Sequence, residues 1–181
     1  MGIIPDPEIL LARQAIHDRD AFAELYRCHV VRVYRYFIVH VGDVSDAQDL
    51  TSQTFLTALE SIRGYGGKGS FAAWLLGIAH HKMVDYYRRK RATVSLDSAD
   101  ELGLPSLPMD EIVDTRLQLE RTMSALSQLT EDRAEAMRLH IFGALTVKEV
   151  GQVMKRSPAA SKMLIYRALQ DLKMLLLNKE S

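Results

Sequence analysis

The sequence predicts an all-α protein of two small helical domains joined by a flexible acidic linker. Apolar residues recur at steps of three and four, the spacing of an amphipathic helix, and no stretch alternates convincingly with a period of two. Helix start and stop residues divide these periodic stretches. The segment 92–115 differs, because it holds two prolines and only negative charges, as solvated linkers often do. We therefore predict domains at 1–91 and 116–181.

The composition excludes several classes of protein. Lysine plus arginine and aspartate plus glutamate number 23 each, so the net charge of +0 predicts no affinity for nucleic acid by itself. The one cysteine, Cys28, excludes an intrachain disulfide and fits a reducing compartment. The first ten residues lack the basic and apolar parts of a secretory signal. No apolar run approaches the roughly 20 residues that cross a bilayer, so we expect a soluble, cytoplasmic protein without membrane insertion.

Three long helices are expected in the first domain. An apolar stripe from Phe22 to Val41 predicts the first helix. The second follows a turn in which Ser45 and Gln48 have the spacing of a capping box. Its apolar stripe consists of Leu50, Phe55, Leu56, Leu59 and Ile62. Ser70 is predicted to cap the third helix, which ends in the basic run DYYRRKR.

A glycine-rich loop, GYGGKGSFAAW at 64–74, separates the second and third helices. It is not a phosphate-binding P-loop, because Gly69 follows Lys68 where that motif needs a serine or threonine, and no strand precedes it. Basic and aromatic side chains surround the loop and the run AHHKMVDYYRRKR at 79–91. Cations attract phosphates, and aromatic faces stack on unpaired bases at roughly 1–3 kcal/mol each. We interpret this region as a surface for single-stranded nucleic acid; the alternatives are a solvated helix end for the basic run and core packing for Trp74.

Catalytic and metal-binding patterns do not emerge from the sequence. There is no G-x-S-x-G, no H-E-x-x-H and no convincing pair of nucleophile and base, so we do not expect an enzyme. His80 and His81 are adjacent, and on a helix they point about 100° apart, which prevents both from holding one metal ion. We predict neither a cofactor nor a metal.

The second domain has the pattern of a helix-turn-helix preceded by further helices. Four start and stop signals divide it: Thr130, Gly143, Thr146 with Glu149, and Ser157-Pro158. The last two delimit a short helix, a short turn and a longer helix. In such a motif the second helix places its N-terminal residues in the major groove of DNA. This geometry makes the turn and the start of the last helix a candidate DNA-binding surface.

Two blocks of the sequence resemble one known family. The first contains DAFAELYRCHVVRVYRYF at 20–37 and DAQDLTSQTFLTALESIRGYGGKGSFAAWLLGIAHHKMVDYYRRKR at 46–91, and it resembles region 2 of the sigma-70 family in its extracytoplasmic-function form. The second begins LERTMSALSQL, occupies 119–172 and resembles region 4. The resemblance implies an alternative sigma factor that binds core RNA polymerase and directs promoter-specific initiation. The implied partners are the clamp helices of the largest polymerase subunit, the flap of the second-largest subunit, promoter DNA and an anti-sigma factor.

The resemblance also implies three sets of contact residues. Those for core polymerase are Asp46, Gln48, Asp49, Leu50, Gln53 and Phe55. Those for the minus-ten element, where the glycine loop would hold a flipped base, are Tyr65, Lys68, Ser70, Phe71, Trp74, His80, His81, Lys82, Tyr86, Arg88 and Arg89. Those for the minus-thirty-five element are Lys148, Lys155, Arg156, Ser157, Ala160, Ser161, Lys162 and Arg167.

The chain departs from the family pattern at a few positions. His80 and His81 stand where the family usually has arginine and asparagine, and Ser52-Gln53 replaces a glutamine and a glutamate. Two further readings remain open on the residues alone. One is a stand-alone helix-turn-helix regulator that binds an operator without polymerase, and the other is a helical adaptor.

Overall fold

The structure, a computed structural model, describes residues 7–67, 69–93 and 109–177. Within these ranges the regular elements are all helical, which confirms the predicted all-α class. The helices are α1 (Pro7–Gln14), α2 (Arg19–Val41), α3 (Val44–Ser61), α4 (Phe71–Thr93), α5 (Met109–Ser127), α6 (Glu131–Met137), α7 (Val147–Met154) and α8 (Pro158–Leu177). None of the described helices is long and apolar enough to cross a membrane.

Two helices overlap the segment that the sequence assigned to a linker. Helix α4 ends at Thr93, and α5 begins at Met109, directly after Pro108 and well before Arg116. Proline often stands next to a helix start, since it has no N–H that the helix would need to pair there. The rest of the acidic segment, 94–108, lies outside the described residues.

Helix α3 begins two residues earlier than the sequence pattern predicted, since its N-cap is Asp43 and not Ser45. Asp43 is its N-cap, and the Asp43 carboxylate accepts a hydrogen bond of 2.8 Å from the Asp46 amide. The capping box assigned to Ser45 and Gln48 is therefore wrong, because both residues already lie inside the helix. Aspartate and serine are comparable N-caps, so the pattern alone could not choose between two candidates two residues apart.

The predicted start of α4 is confirmed. Ser70 precedes the helix, and its hydroxyl accepts a hydrogen bond of 3.3 Å from the Ala73 amide. The helix then buries Phe71, Leu75 and Leu76 completely against α2 and α3. This packing fixes the direction in which the basic end of α4 leaves the first half of the chain.

The second half has the predicted helix-turn-helix. Thr146 and Glu149 form the capping box that starts α7, and the Ser157 hydroxyl accepts from the Ala160 amide at the start of α8. Between the two helices, Lys155 adopts a left-handed conformation with φ of 54°. Helix α6 continues as a π-helical turn over Arg138–Phe142, which Gly143 ends by donating its N–H to the Arg138 carbonyl at 2.9 Å.

The two halves of the chain pack against each other, an arrangement that the sequence left open. Helix α2 contacts the π-helical turn Arg138–Phe142, and α4 contacts α7. At Gly143 the approach is close, since an added Cβ would lie 2.5 Å from a methyl carbon of Leu76. Buried residues from both halves form one continuous hydrophobic cluster.

Candidate functional site

The glycine loop is held in shape by an aromatic cluster. Gly66, Gly67 and Gly69 have φ values of 66°, 67° and 83°, a region that favours glycine because it has no Cβ. The Tyr65 hydroxyl donates a hydrogen bond of 2.6 Å to the Gly69 carbonyl, and the Tyr65 ring packs against Phe71 and Trp74. These contacts hold the described loop residues on both sides of Lys68.

This arrangement buries part of the predicted minus-ten set. Tyr65 and Phe71 lie in the core, and Trp74 is half-buried. Direct contact with a base would require Tyr65 to leave its aromatic cluster. Ser70 serves as the α4 cap, and Lys68 lies outside the described residues.

The end of α4 carries the exposed cations of the same set. Arg88 and Arg89 are exposed, and Arg88 donates to Asp85 at 3.0 Å on the surface. Tyr86 is half-buried, and its hydroxyl donates to Asp46 at 2.6 Å. Burial and the Asp46 carboxylate raise the pKa of Tyr86 well above its ordinary value. Asp46, from the predicted polymerase set, thus holds Tyr86, from the predicted minus-ten set, by a hydrogen bond.

The adjacent histidines have different surroundings. His81 is exposed, and its Nδ1 lies 2.7 Å from the Gly77 carbonyl on the same helix. Lys82 is half-buried beside it. His80 is half-buried, and its Nδ1 lies 2.8 Å from a carboxylate oxygen of Glu135 in the second half of the chain. The two rings therefore lie in different surroundings, as their adjacent positions on a helix predict.

Helix α3 presents a mixed outer face, on which Gln48, Asp49 and Gln53 are exposed. Leu50 and Phe55 point into the core, so in this structure they support the face from behind. Sequence reasoning missed the exposed apolar part of this face, because it counted Leu56 and Leu59 with the other apolar residues of the helix and did not separate them from its core. These two leucines are 58% and 44% exposed, too much for core residues.

The helix-turn-helix leaves most of the predicted minus-thirty-five residues exposed. The exposed ones are Lys148, Lys155, Arg156, Ser157, Ala160, Lys162 and Arg167. Ser161 is an exception, since it is completely buried and its hydroxyl donates to the Ser157 carbonyl at 3.0 Å. A Cβ added at Gly151 would lie 2.9 Å from the Ser161 Oγ, so this serine packs the two helices together instead of facing DNA.

A cleft of about 810 Å³ lies between the two halves. Helix α4 contributes Arg88 and Arg91 to its lining, and the second half contributes Arg156, Glu131 and Asp132. Arg156 donates to Asp132 at 3.0 Å within the second half. Cations from both predicted DNA surfaces therefore line the same cleft.

The described ranges contain no group of three or more histidine, cysteine, aspartate or glutamate side chains that could hold a metal ion. Cys28 is exposed on α2.

Comparison with known proteins matches both halves of the chain. Residues 25–93 match the family model for Sigma-70 region 2, and residues 119–172 match that for Sigma-70, region 4. The chain is 32% identical over 171 residues to the ECF RNA polymerase sigma factor BldN of Streptomyces coelicolor. That match covers 92% of this chain and 64% of BldN, so the chain spans under two thirds of this relative's length.

Two solved structures share the fold. CnrH, solved in complex with the cytosolic domain of CnrY, matches with a TM-score of 0.75 and 27% identity over 97% of this chain and 100% of that chain. The sigma factor RpoE of Bartonella quintana, solved with the anti-sigma factor NepR, matches with a TM-score of 0.65 and 17% identity. This second match covers 88% of this chain and 98% of that chain.

Both helical units thus correspond to regions of one class of transcription protein, in the order that the sequence predicted, and together they account for well over half of the chain. The chain belongs to the sigma-70 family of RNA polymerase sigma factors, in its extracytoplasmic-function group. This family is not a class of catalytic enzymes.

Proposed function

We propose that this chain binds core RNA polymerase as an alternative sigma factor and directs it to a particular class of promoter. One observation carries the proposal. A helical unit of the region 2 type, with an exposed face on α3, stands in one chain with a helix-turn-helix whose cations are exposed. We assign one surface to the polymerase, one to the minus-ten element and one to the minus-thirty-five element.

The outer face of α3 is the surface for the polymerase. Gln48, Asp49 and Gln53 supply hydrogen-bonding groups, and Leu56 and Leu59 supply apolar area beside them. Apolar area that becomes buried contributes about 25 cal/mol per Å², so the two leucines favour docking to a partner helix. Tyr26 of α2, 43% exposed and packed edge-on against Phe55, extends the same face.

The glycine loop and the basic end of α4 are the surface for the melted minus-ten element. The positive φ values of the loop let its backbone close around a base without a Cβ in the way. Base flipping costs a few kcal/mol, which contacts in the pocket must offset. Arg88 and Arg89 are exposed at the end of α4, where they attract the phosphates of the separated strand.

The start of α8 is the surface for the minus-thirty-five element. Lys155, Arg156 and Lys162 are exposed at the turn and in the first turns of the helix. Their charges contact phosphates and base edges in the major groove. Ser161 is left out of this surface, because its side chain fills the contact between α7 and α8.

This function belongs in the cytoplasm, where chromosomal DNA and core polymerase are found, and it requires no catalytic group of the chain itself. We also propose an anti-sigma factor as a partner. This is supported by the shared fold with RpoE of Bartonella quintana, which was solved bound to the anti-sigma factor NepR.

The function is tested by adding the purified chain to bacterial core polymerase and sequencing the transcripts started on genomic fragments. We expect copurification with the core enzyme and discrete new start sites that depend on the chain. Failure to bind core polymerase, together with footprints on DNA by the chain alone, would instead favour a stand-alone helix-turn-helix regulator.

The polymerase surface has its own test in the double variant Leu56→Ala, Leu59→Ala. We expect its affinity for core polymerase to fall at least about tenfold, since two exposed leucines lose most of their apolar area. Val31→Ala is the matched control, because Val31 is 55% exposed on α2. Equal affinity of the double variant and the control would move the polymerase contact elsewhere.

A further inference from the structure

A buried carboxylate joins the two halves of the chain. Glu135 of α6 is 5% exposed. The Tyr36 hydroxyl donates to its Oε1 at 2.8 Å, and His80 Nδ1 lies 2.8 Å from the same oxygen. His40 Nε2 lies 3.0 Å from Oε2. Arg138 Nη1, 3.7 Å from Oε2, supplies a positive charge.

The five side chains of this contact come from both halves of the chain. Tyr36 and His40 lie on α2 and His80 on α4, whereas Glu135 and Arg138 lie on α6 and the π-helical turn after it. Burial by itself would raise the pKa of Glu135, but contacts with His40 and His80 hold that pKa well below its ordinary value. The carboxylate is therefore charged, and its partners are supplied by the approach of the other half.

The closed arrangement is incompatible with the use of both DNA surfaces. Arg88 from one surface and Arg156 from the other line one cleft of about 810 Å³. The minus-ten and minus-thirty-five elements lie about 25 base pairs apart, or roughly 85 Å of duplex at about 3.4 Å per base pair. Side chains that share one cleft cannot reach both elements, so the halves must separate before the chain spans a promoter.

We infer that Glu135 is an interdomain latch, which holds the two halves closed and keeps His80 from promoter DNA until they separate. The role of His80 at DNA rests on the proposed function; the closing contact does not. The latch cluster consists of Tyr36, His40, His80, Glu135 and Arg138.

A polar contact suits a latch better than an apolar one. Buried ion pairs seldom stabilise more than a well-packed apolar contact would, because the charges lose their hydration. When the halves separate, Glu135 and Arg138 regain water, and part of the cost of opening is offset. Loss of the carboxylate alone leaves buried donors without an acceptor, which destabilises the closed arrangement in particular.

The test measures the distance between the halves in the full chain. Cys28, the only cysteine, is exposed on α2, and Lys173→Cys adds a second exposed site on α8. Spin labels at these two sites report closing by pulsed electron resonance. We compare the doubly labelled chain with and without Glu135→Gln. The control is Glu24→Gln, because Glu24 is exposed on α2 and pairs with Arg27 of the same helix.

We expect Glu135→Gln to raise the open population about tenfold, because the glutamine amide is neutral: its oxygen accepts only a weaker hydrogen bond from Tyr36, and Arg138 loses the carboxylate beside it. The control should keep the short distance. An unchanged distance in Glu135→Gln, or equal opening in the control, would overturn the latch.

A milder variant covers the case in which Glu135→Gln fails to fold. Tyr36→Phe keeps the buried ring and removes only the hydroxyl that donates to Glu135, so we expect partial opening. A short distance identical to that of the parent would count against the latch. The distance measurement contains no polymerase, so it is independent of the proposed function. If Glu135→Gln opens the chain but the parent directs no transcription, the proposed function is wrong and the latch is still supported.

Discussion

At the scale of single residues, His40 makes closing sensitive to pH. Its ring is buried, and burial lowers its pKa from 6.5 despite the opposing contact with Glu135. Its Nδ1 also finds no hydrogen-bond partner among the described residues, so a second proton there would be unpaired. A pKa that is lower in the closed than in the separated arrangement stabilises closing above the separated value, and this stabilisation is lost as the pH falls.

The labelled chain should therefore open as the pH falls below about 6.5. The low pKa of Glu135 has the same sign and acts only in much stronger acid. The other titratable or charged groups that face the cluster or line the cleft are Tyr36, His80, Tyr87, Arg88, Arg91, Glu131, Asp132, Arg138 and Arg156. The check is the label distance at pH 7.5 and pH 5.5, with the open Glu135→Gln variant as control. The same distance at both values in the parent would contradict the prediction.

At the scale of helices, two threonines that precede helices make a matched pair. The Thr146 hydroxyl accepts a hydrogen bond from the Glu149 amide, whereas Thr130 stands at the N-cap of α6 without a side-chain bond. We expect Thr146→Ala to lower the free energy of unfolding by about 1 kcal/mol and Thr130→Ala to lower it far less. Urea unfolding measures both. If both variants lost the same free energy of unfolding, the hydrogen bond from the Glu149 amide to the Thr146 hydroxyl would contribute no measurable stability.

Helix starts could be read from the sequence wherever one capping residue stood alone. Ser70, Thr146 and Ser157 were predicted correctly, because each precedes a helix without a nearby rival. The start of α3 was wrong, since Asp43 and Ser45 compete within one turn. The exposed Leu56 and Leu59 were also missed, because a spacing of three and four identifies an apolar stripe but not its buried width. Ser161 was misplaced for a related reason, as small polar residues suit both a groove and a helix contact.

At the scale of the whole molecule, the joined core predicts cooperative unfolding. Buried side chains of both halves form one cluster, and Gly143 brings the second half into close contact with Leu76 of α4. We expect one transition in scanning calorimetry, with equal calorimetric and van't Hoff enthalpies. The Glu135→Gln variant should show two. Two separate transitions in the parent would mean that the halves unfold independently.

The closing of the two halves was beyond sequence reasoning. Tyr36 and Glu135 are 99 residues apart, and neither belongs to a periodic pattern that indicates its partner. Histidine at position 80 was noticed as a departure from the family pattern, but only the structure relates it to a carboxylate in the other half. Family resemblance predicted the order of the two units; it gave no information on contacts particular to this chain.

Because both halves share Glu135, they are not interchangeable parts. A chimaera that takes its second half from a relative without a carboxylate at this position would leave the Tyr36 hydroxyl buried without its acceptor. A chimaera built the other way would strand a buried negative charge beside Arg138 alone. Grafting one half onto another sigma factor is therefore expected to succeed only when the donors and the acceptor are transferred together.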